Sequence, residues 1–336
     1  MADPRTLVIT HPDCLQHAKP GHPECPARLK SIMAAINAHP STSAIEQRLA
    51  PAATDSQLSR VHPLSLIDQL TALEPVKGTQ MADPDTYLSR GSLRAARLAA
   101  GACLEATQLV LSGEKDRVFC AVRPPGHHAE IDAAMGFCLF NNVALGAVAA
   151  LAHPSVERVA ILDFDVHHCN GTVDIFKEDD RVLVCSSFQA DYYPHRYLDY
   201  ENAHIVATPL AAGTRSLEFR QLIEQQWPAA INQHQPDLIF ISAGFDAHKD
   251  DPLAQLELEV DDYRWITQLI VDLAKMHCNG RIISTLEGGY QLEALGECAR
   301  MHLETLLLLL ALLFPLPRWR VLLLPVAHRC SCQKAG

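Results

Sequence analysis

The chain has 336 residues, of which 48% are hydrophobic and 20% are charged, and its formal net charge is −11. This composition excludes a disordered or fibrous chain, and the acidic balance with scattered Lys and Arg argues against direct nucleic-acid binding. Eleven irregularly spaced cysteines do not resemble a secreted disulfide framework, and no secretory signal is evident at the N-terminus. We therefore expect a folded protein of a reducing, cytoplasmic compartment.

Short apolar runs alternate with helical patterns along most of the chain. The predicted strands lie at 7–9, 118–122, 159–162, 182–185, 238–241 and 281–286. The predicted helices lie at 26–37, 91–111, 140–152, 216–233 and 260–276, and a last helix begins at Leu292. Unbroken apolar strands are usually buried on both faces. The alternation predicts a single α/β domain with a central parallel sheet and helices on both faces.

The C-terminal part has an unusual composition. Apolar runs at 306–314 and 321–327 are both shorter than the roughly 20 residues that cross a bilayer, so no membrane span is expected. We predict one folded domain over 1–314, ending in a buried helix, and an atypical tail over 315–336.

Potential metal ligands follow two of the predicted strands. Asp163, Asp165 and His167 come directly after the strand at 159–162, and side chains two residues apart in extended backbone point to one side. Asp246 follows the strand at 238–241, and the carboxyl ends of parallel strands meet at one edge of the sheet. Asp165, His167 and Asp246 are predicted to bind a catalytic zinc ion, whose fourth position would hold the attacking water.

Two adjacent histidines follow the strand at 118–122. His127 and His128 come after a Pro-Pro-Gly turn, which would bring them to the same edge of the sheet. Such a pair can take a proton from water and give one to a leaving amine if each ring is oriented. Asp163 and Asn170 are the predicted orienting partners.

Tyr290 ends the segment Glu-Gly-Gly-Tyr, which follows the last predicted strand. The two glycines allow close backbone approach to a ligand, and the Tyr290 hydroxyl could stabilise an oxyanion. A turn with a packed aromatic ring explains this segment equally well.

In order along the chain, these segments resemble the histone deacetylase family, in its class II-like bacterial branch. The shared motifs are Arg-Pro-Pro-Gly-His-His, Asp-x-Asp-x-His-His-x-Asn-Gly-Thr, Ser-Ala-Gly-Phe-Asp-Ala-His and Glu-Gly-Gly-Tyr, with His-Pro-Glu-x-Pro-x-Arg at 22–28 and Asp-Pro-Asp-Thr-Tyr at 83–87. The resemblance covers roughly residues 5 to 300. It implies the arginase/deacetylase α/β fold, a deacetylase-like catalytic domain over 1–314, and zinc-dependent hydrolysis of the amide of acyl-lysine.

The resemblance also implies roles for individual residues. It makes Asp165, His167 and Asp246 the zinc ligands, His127 and His128 the catalytic pair, and Tyr290 the oxyanion donor. It implies that a structural potassium ion is held near Asp163 and the Ser186 hydroxyl. Residues that would contact the substrate, in the acyl-lysine tunnel or at its rim, are Gly136, Phe137, Leu253, Gly288 and one of Asp83 and Asp85.

Some positions depart from the family pattern. Cys169 stands where the family commonly has Gly, Phe188 where His usually precedes Gln, and residues 191–204 replace a Gly-rich rim loop. These changes leave the substrate open: an acylated lysine in a protein or peptide, or an acylated small amine. A homo-oligomer also stays open.

Three other functions compete with lysine deacylation. One is acetylpolyamine hydrolysis, although Leu253 stands where such enzymes often have a gating acid. The others are a non-catalytic acyl-lysine binding module and a di-manganese site of the arginase type. Separately, His11, His17, His22 and Cys25 could be taken for a second zinc site, but we interpret them as a loop beside the active site.

Overall fold

The computed structural model describes residues 5–198, 200 and 202–307. Eight strands form one sheet: β1 Thr6–Thr10, β2 Glu46–Leu49, β5 Arg117–Cys120, β6 Val159–Asp163, β7 Val182–Gln189, β8 Ile205–Leu210, β9 Leu238–Ala243 and β10 Ile282–Leu286. A separate antiparallel pair is formed by β3 Thr79–Met81 and β4 Tyr87–Ser89. All six predicted strands lie in the large sheet, which adds β2 and β8.

The strand order in the large sheet is β2-β1-β5-β10-β9-β6-β7-β8, and every pairing is parallel. The inner strands β5, β10, β9 and β6 are buried along their whole length. Their apolar side chains face helices on both sides, which explains the absence of a polar alternation in the sequence. The predicted central parallel sheet is confirmed.

The described helices are α1 Pro26–Ala38, α2 Asp55–Leu58, α3 Leu64–Leu73, α4 Ser92–Leu111, α5 Asn142–Leu151, α6 Asn170–Phe176, α7 Ser216–His234, α8 Val260–His277 and α9 Leu292–Leu306, with a short 3₁₀ helix at Pro12–Gln16. Helices α1, α9, α8 and α7 pack against one another in succession, whereas α4 packs on α5 and on the 3₁₀ helix. The two groups cover the two faces of the sheet in a single domain.

Local signals fix the ends of several helices. Pro26 opens α1 at its first position, where a missing N–H costs nothing. At the start of α8, Glu259 and Asp262 form a reciprocal capping box. Lys275 and His277 lie in its last turn, where positive charge favours the helix dipole.

The C-terminal prediction is tested only in part. The predicted last helix is α9, which ends at Leu306. Residues 308–336, which include the predicted tail over 315–336, lie outside the described residues. Within the described part of the chain, none of the helices has the length and apolar character needed to cross a bilayer.

Candidate active site

Four neighbouring inner strands deliver the predicted site residues to one edge of the sheet. His127 and His128 follow β5, Tyr290 follows β10, Asp246 follows β9, and Asp165 follows β6. Because these strands are adjacent in the order β5-β10-β9-β6, residues distant in sequence meet in space.

Asp165, His167 and Asp246 form the one group of at least three potential metal ligands found among the described residues, and their ligand atoms lie within 4.8 Å of one another. His167 Nδ1 lies 3.1 Å from Asp165 Oδ1 and 3.2 Å from Asp246 Oδ2. Two ligands at 2.0–2.1 Å from a tetrahedral zinc ion would be about 3.3 Å apart. Asp246 Oδ2 is buried and accepts no hydrogen bond of acceptable geometry in the described part of the structure, although His167 Nδ1 lies 3.2 Å from it. A buried acceptor without a donor is costly, and a bound cation would remove that cost. The residues present therefore fit a metal ion.

Two glycines make room for the ligand carboxylates. A Cβ at Gly244 would lie 2.0 Å from Asp165 Oδ2, and a Cβ at Gly288 would lie 2.0 Å from Asp246 Oδ2. The Gly288 N–H also donates to Asp165 Oδ2 at 2.7 Å. Gly288, predicted to contact the substrate, thus lies directly against two of the potential metal ligands.

His127 is held between two carboxylates. Its Nδ1 donates to Asp163 Oδ2 at 2.9 Å, and its Nε2 lies 3.8 Å from Asp165 Oδ1. Burial lowers the pKa of His127, but the charges of Asp165 and Asp163 outweigh this and raise it to about 10. A cation bound to Asp165 would oppose that rise.

Asp163 reaches His127 because the chain turns after β6. Strand β6 ends at Asp163, whose Oδ1 accepts the N–H of Asp165. The Asp163 side chain therefore contacts His127 and does not join Asp165 and His167 in the group of potential ligands. Glu287 supports the same loop, since its Oε2 accepts the N–H groups of Gly126 and His127. Burial raises the pKa of Glu287 to about 7. No pattern in the sequence distinguishes Glu287 from an ordinary loop carboxylate.

His128 has a different environment. Its Nδ1 lies 2.6 Å from Asn170 Oδ1, as the predicted orienting role of Asn170 requires. Its ring centroid lies 4.0 Å from that of His127 and 5.8 Å from that of His167. Burial, together with these two neighbouring imidazoles, lowers the pKa of His128 well below its usual value.

Tyr290 is held from both sides. Asp251 Oδ2 accepts the backbone N–H of Tyr290 at 2.6 Å and that of Gln291 at 3.2 Å. The Arg28 guanidinium lies 4.8 Å from the centre of the Tyr290 ring and donates to the Gly289 carbonyl. Burial raises the pKa of Tyr290 well above its usual value, which keeps its hydroxyl protonated. Sequence reasoning had not identified Asp251 as a support, because its partners are backbone groups 39 and 40 residues away.

The predicted tunnel wall lies beside the histidine pair. Phe137 has a φ of +67° and its ring packs edge-on against Tyr290, with centroids 5.9 Å apart. Gly136 also has a positive φ, and a Cβ there would lie 2.4 Å from the His128 ring. Asp85 Oδ1 accepts the Gly136 N–H, whereas Asp83 Oδ1 accepts N–H groups of its own turn. That one of Asp83 and Asp85 contacts the substrate stays a prediction.

Two tyrosines that sequence reasoning had not singled out face the site from the segment after β7. Tyr193 packs edge-on against His128, with centroids 5.2 Å apart. The Tyr192 ring lies 5.8 Å from that of His167, and its hydroxyl donates to the Leu253 carbonyl. The signal was an aromatic pair shortly after a strand end, in the 191–204 segment that departs from the family pattern.

The remaining predicted positions lie around the site. Ser186 is the β7 partner of Asp163 in the sheet, and its hydroxyl lies 3.0 Å from His168 Nδ1. Phe188 packs against His168 with centroids 4.4 Å apart. The potassium site near Asp163 and Ser186 stays a prediction.

The N-terminal histidines have structural partners, in line with the loop interpretation. His17 stacks on Tyr87 with centroids 4.3 Å apart and lies 3.3 Å from Glu24. His22 contacts Phe137 edge-on at 4.7 Å. Buried Glu24 also accepts from Arg123 through both carboxylate oxygens, at 2.7 and 2.6 Å.

Three potential metal ligands beside two oriented imidazoles form an arrangement typical of a metal-assisted hydrolase. The histone deacetylase domain model matches residues 22–306. The chain belongs to the histone deacetylase family, whose members are generally metal-dependent. The predicted arginase/deacetylase fold is confirmed by the structural comparison below.

Similar proteins include a histone deacetylase-like amidohydrolase of Pseudomonas aeruginosa, 36% identical over 296 residues, which cover 86% of this chain and 78% of that protein. A probable deacetylase of Archaeoglobus fulgidus is 35% identical, with coverage of 86% and 82%. The crystal structure of the HDA15 HD domain matches with a TM-score of 0.84 at 32% identity and covers 90% of each chain. These relatives support hydrolase activity of the deacetylase type.

Proposed function

We propose that this protein is a zinc-dependent hydrolase of the amide in acyl-lysine. The observation that carries the proposal is the group of potential ligands Asp165, His167 and Asp246, which buries Asp246 Oδ2 without a hydrogen bond and lies next to two oriented histidines. Oxygen and imidazole ligands with an open fourth position are typical of catalytic zinc. The cytoplasmic location expected from the cysteine content stays a prediction.

The protein's own groups divide the acid–base work. Bound zinc would supply Lewis acidity, polarising the substrate carbonyl and acidifying water. His128, whose pKa is lowered, would be neutral and accept a proton through Nε2. His127, whose Nδ1 donates to Asp163, would be stabilised as an imidazolium by that carboxylate and favour proton delivery to the leaving amine. The Tyr290 hydroxyl, kept protonated, would donate to the developing oxyanion.

The side chain at Leu253 supports acyl-lysine over an acylated polyamine. A polyamine carries a second ammonium group, which a carboxylate at the gate would stabilise. Leu253 offers no charge there, and the Tyr192 hydroxyl donates a hydrogen bond to its backbone carbonyl. We infer that an aromatic tunnel without a carboxylate at position 253 receives the acyl-lysine side chain.

The experiment compares a zinc-loaded enzyme on an acetyl-lysine peptide and on N-acetylputrescine, with released acetate as the readout. We expect turnover of the peptide and a loss of about 100- to 1,000-fold in kcat for Tyr290→Phe, the usual effect of removing one oxyanion donor. Tyr263→Phe is the matched control, because the buried Tyr263 hydroxyl has no hydrogen-bond partner among the described residues.

Each alternative has its own outcome. Turnover of N-acetylputrescine alone would favour a polyamine hydrolase. An inactive but zinc-loaded wild type that retains acyl-lysine peptides would indicate a binding module. Two transition metals per chain by mass spectrometry would favour the arginase type.

A further inference from the structure

Three polar side chains, those of Asn170, Glu130 and Arg196, connect His128 with the rim of the site. His128 Nδ1 lies 2.6 Å from Asn170 Oδ1, and Asn170 Nδ2 donates to Glu130 Oε1 at 2.7 Å. Glu130 Oε2 in turn lies 2.9 Å from the Arg196 guanidinium. The Glu130 side chain is 4% exposed, whereas that of Arg196 is 50% exposed. A buried carboxylate thus lies between a catalytic histidine and a surface loop.

The Glu130 carboxylate fixes the orientation of the Asn170 amide. An ionised carboxylate can only accept hydrogen bonds, so the amide NH₂ must face Glu130 and the amide oxygen must face His128. The Met135 sulfur, 3.3 Å from Asn170 Nδ2, is also an acceptor and favours the same orientation. The Asn170 oxygen then requires a proton on His128 Nδ1.

This proton leaves His128 Nε2 with a free lone pair. A neutral imidazole has one N–H and one acceptor nitrogen, and the partner of one nitrogen decides the state of the other. If the Asn170 amide were reversed, its NH₂ would donate to Nδ1 and the proton would move to Nε2. Such a ring could not take a proton from water.

Arg196 lies in the segment at 191–204 that departs from the family pattern, here called the rim loop. From this loop it holds the Glu130 carboxylate in position. That loop contains Asp191, His195 and Tyr197 with positive φ values of 53°, 55° and 58°. A conformation so unfavourable for residues other than glycine persists only when surrounding contacts hold it. The Arg196–Glu130 ion pair is one such contact, and the Tyr197 hydroxyl on Asp174 is another.

We propose that Glu130 is a positioning residue which, through the Asn170 amide, sets the tautomer of His128, and that Arg196 connects this control to the rim loop. The inference rests on the proposed hydrolytic function. Its chemistry lies in the orientation of one amide group, so it is tested separately from catalysis.

The first experiment compares wild type with Glu130→Gln. Glutamine has the size of glutamate but carries an NH₂ that can donate to Asn170, so either amide orientation becomes available. We expect kcat to fall about 10- to 100-fold with KM nearly unchanged, the range seen when a partner that orients a functional histidine is lost. Glu157→Gln, at an 82% exposed side chain, is the matched control and should keep wild-type kinetics.

A spectroscopic readout separates positioning from a merely structural role. In zinc-loaded protein labelled with ¹⁵N-histidine, long-range ¹H–¹⁵N correlation reports which nitrogen of His128 carries the proton. We expect Nδ1 in wild type and a mixture of Nδ1 and Nε2 in Glu130→Gln. A lower kcat with an unchanged His128 tautomer would overturn the proposal.

In the Asn170→Asp variant, Glu130→Gln is expected to lose its negative effect on kcat or to reverse it. Asn170→Asp places a carboxylate next to His128 Nδ1, which fixes the tautomer directly. The new carboxylate also lies next to that of Glu130, and the two negative charges repel each other. Adding Glu130→Gln to Asn170→Asp should therefore raise kcat or leave it unchanged. A further loss as large as in the wild-type background would mean that Glu130 serves the fold alone.

Arg196→Gln tests the connection to the rim. We expect a smaller decrease in kcat, of about 3- to 10-fold, with a partial shift of the His128 tautomer, because Glu130 would lose the cation that fixes its position. Arg181→Gln, in an exposed pair with Asp179, is the control. An inactive wild type whose His128 tautomer still responds to Glu130→Gln would reject the proposed function but support this inference.

Discussion

Gly288→Ala should weaken metal binding by a purely steric route. A Cβ at position 288 would lie 2.0 Å from Asp246 Oδ2 and 2.6 Å from Asp165 Oδ2, whereas real Cβ contacts essentially never fall below 3.0 Å. The Asp246 carboxylate must therefore retreat by about 1 Å, which exceeds the tolerance of about 0.2 Å in metal–ligand distances. Because this displaces a ligand itself, we expect zinc affinity to fall by at least about 100-fold.

The measurement is a competition titration of apo protein against a chromogenic zinc chelator. Gly296→Ala is the matched control, since its added Cβ would lie 2.8 Å from Ser31 Oγ, between α9 and α1. It introduces milder crowding away from the site and should reduce stability without changing zinc affinity. If Gly288→Ala bound zinc within about threefold of wild type while remaining folded, the assignment of the ligands would be refuted.

Three further predictions concern residues with clear partners. Asp251→Asn should lower kcat by up to about 100-fold with little change in KM, because the backbone of Tyr290 loses its carboxylate acceptor; equal changes in both constants by steady-state kinetics would contradict this. Glu24→Gln should reduce the free energy of unfolding, measured by urea titration, by about 3–5 kcal/mol, because the buried Arg123 guanidinium is left uncompensated. Asp179→Asn, in the exposed pair with Arg181, is the control and should cost under about 1 kcal/mol. Burial lowers the pKa of His302 from 6.5 to about 3. The unfolded chain therefore binds a proton near pH 6.5 that the folded protein does not, and the free energy of unfolding falls by about 1.4 kcal/mol per pH unit between 6.5 and 3. His302→Asn should therefore give a shallower decline in unfolding free energy between pH 6 and 4, and parallel declines would count against the reasoning.

The parts of the fold that were predictable are those with a strong local signal. The inner strands β5, β6, β9 and β10 are mainly apolar, without a polar alternation, because both of their faces are buried. The edge strand β2 is not, since Glu46–Leu49 is largely exposed and reads as a polar loop. Its pairing with β1 is a tertiary contact that no local pattern encodes.

The same distinction applies to the site. The grouping of Asp165, His167 and Asp246 was predictable because segments rich in potential ligands follow apolar strands. Glu130 and Asp251 were not, because each acts through hydrogen bonds to groups that the fold brings together from distant segments. A single carboxylate in a loop has the same sequence signature whether it is solvated or buried beside a catalytic group.

The strand order has a consequence for local opening. The strands that carry His127, His128, Tyr290, Asp246 and Asp165 have hydrogen-bonded neighbours on both sides, while the rim loop connects β7 to the edge strand β8. Native-state hydrogen exchange should therefore be slowest in the inner strands that lead to the candidate site and much faster in the rim loop. Substrate preference can then change through substitutions in the rim loop at little cost to the stability of the inner sheet.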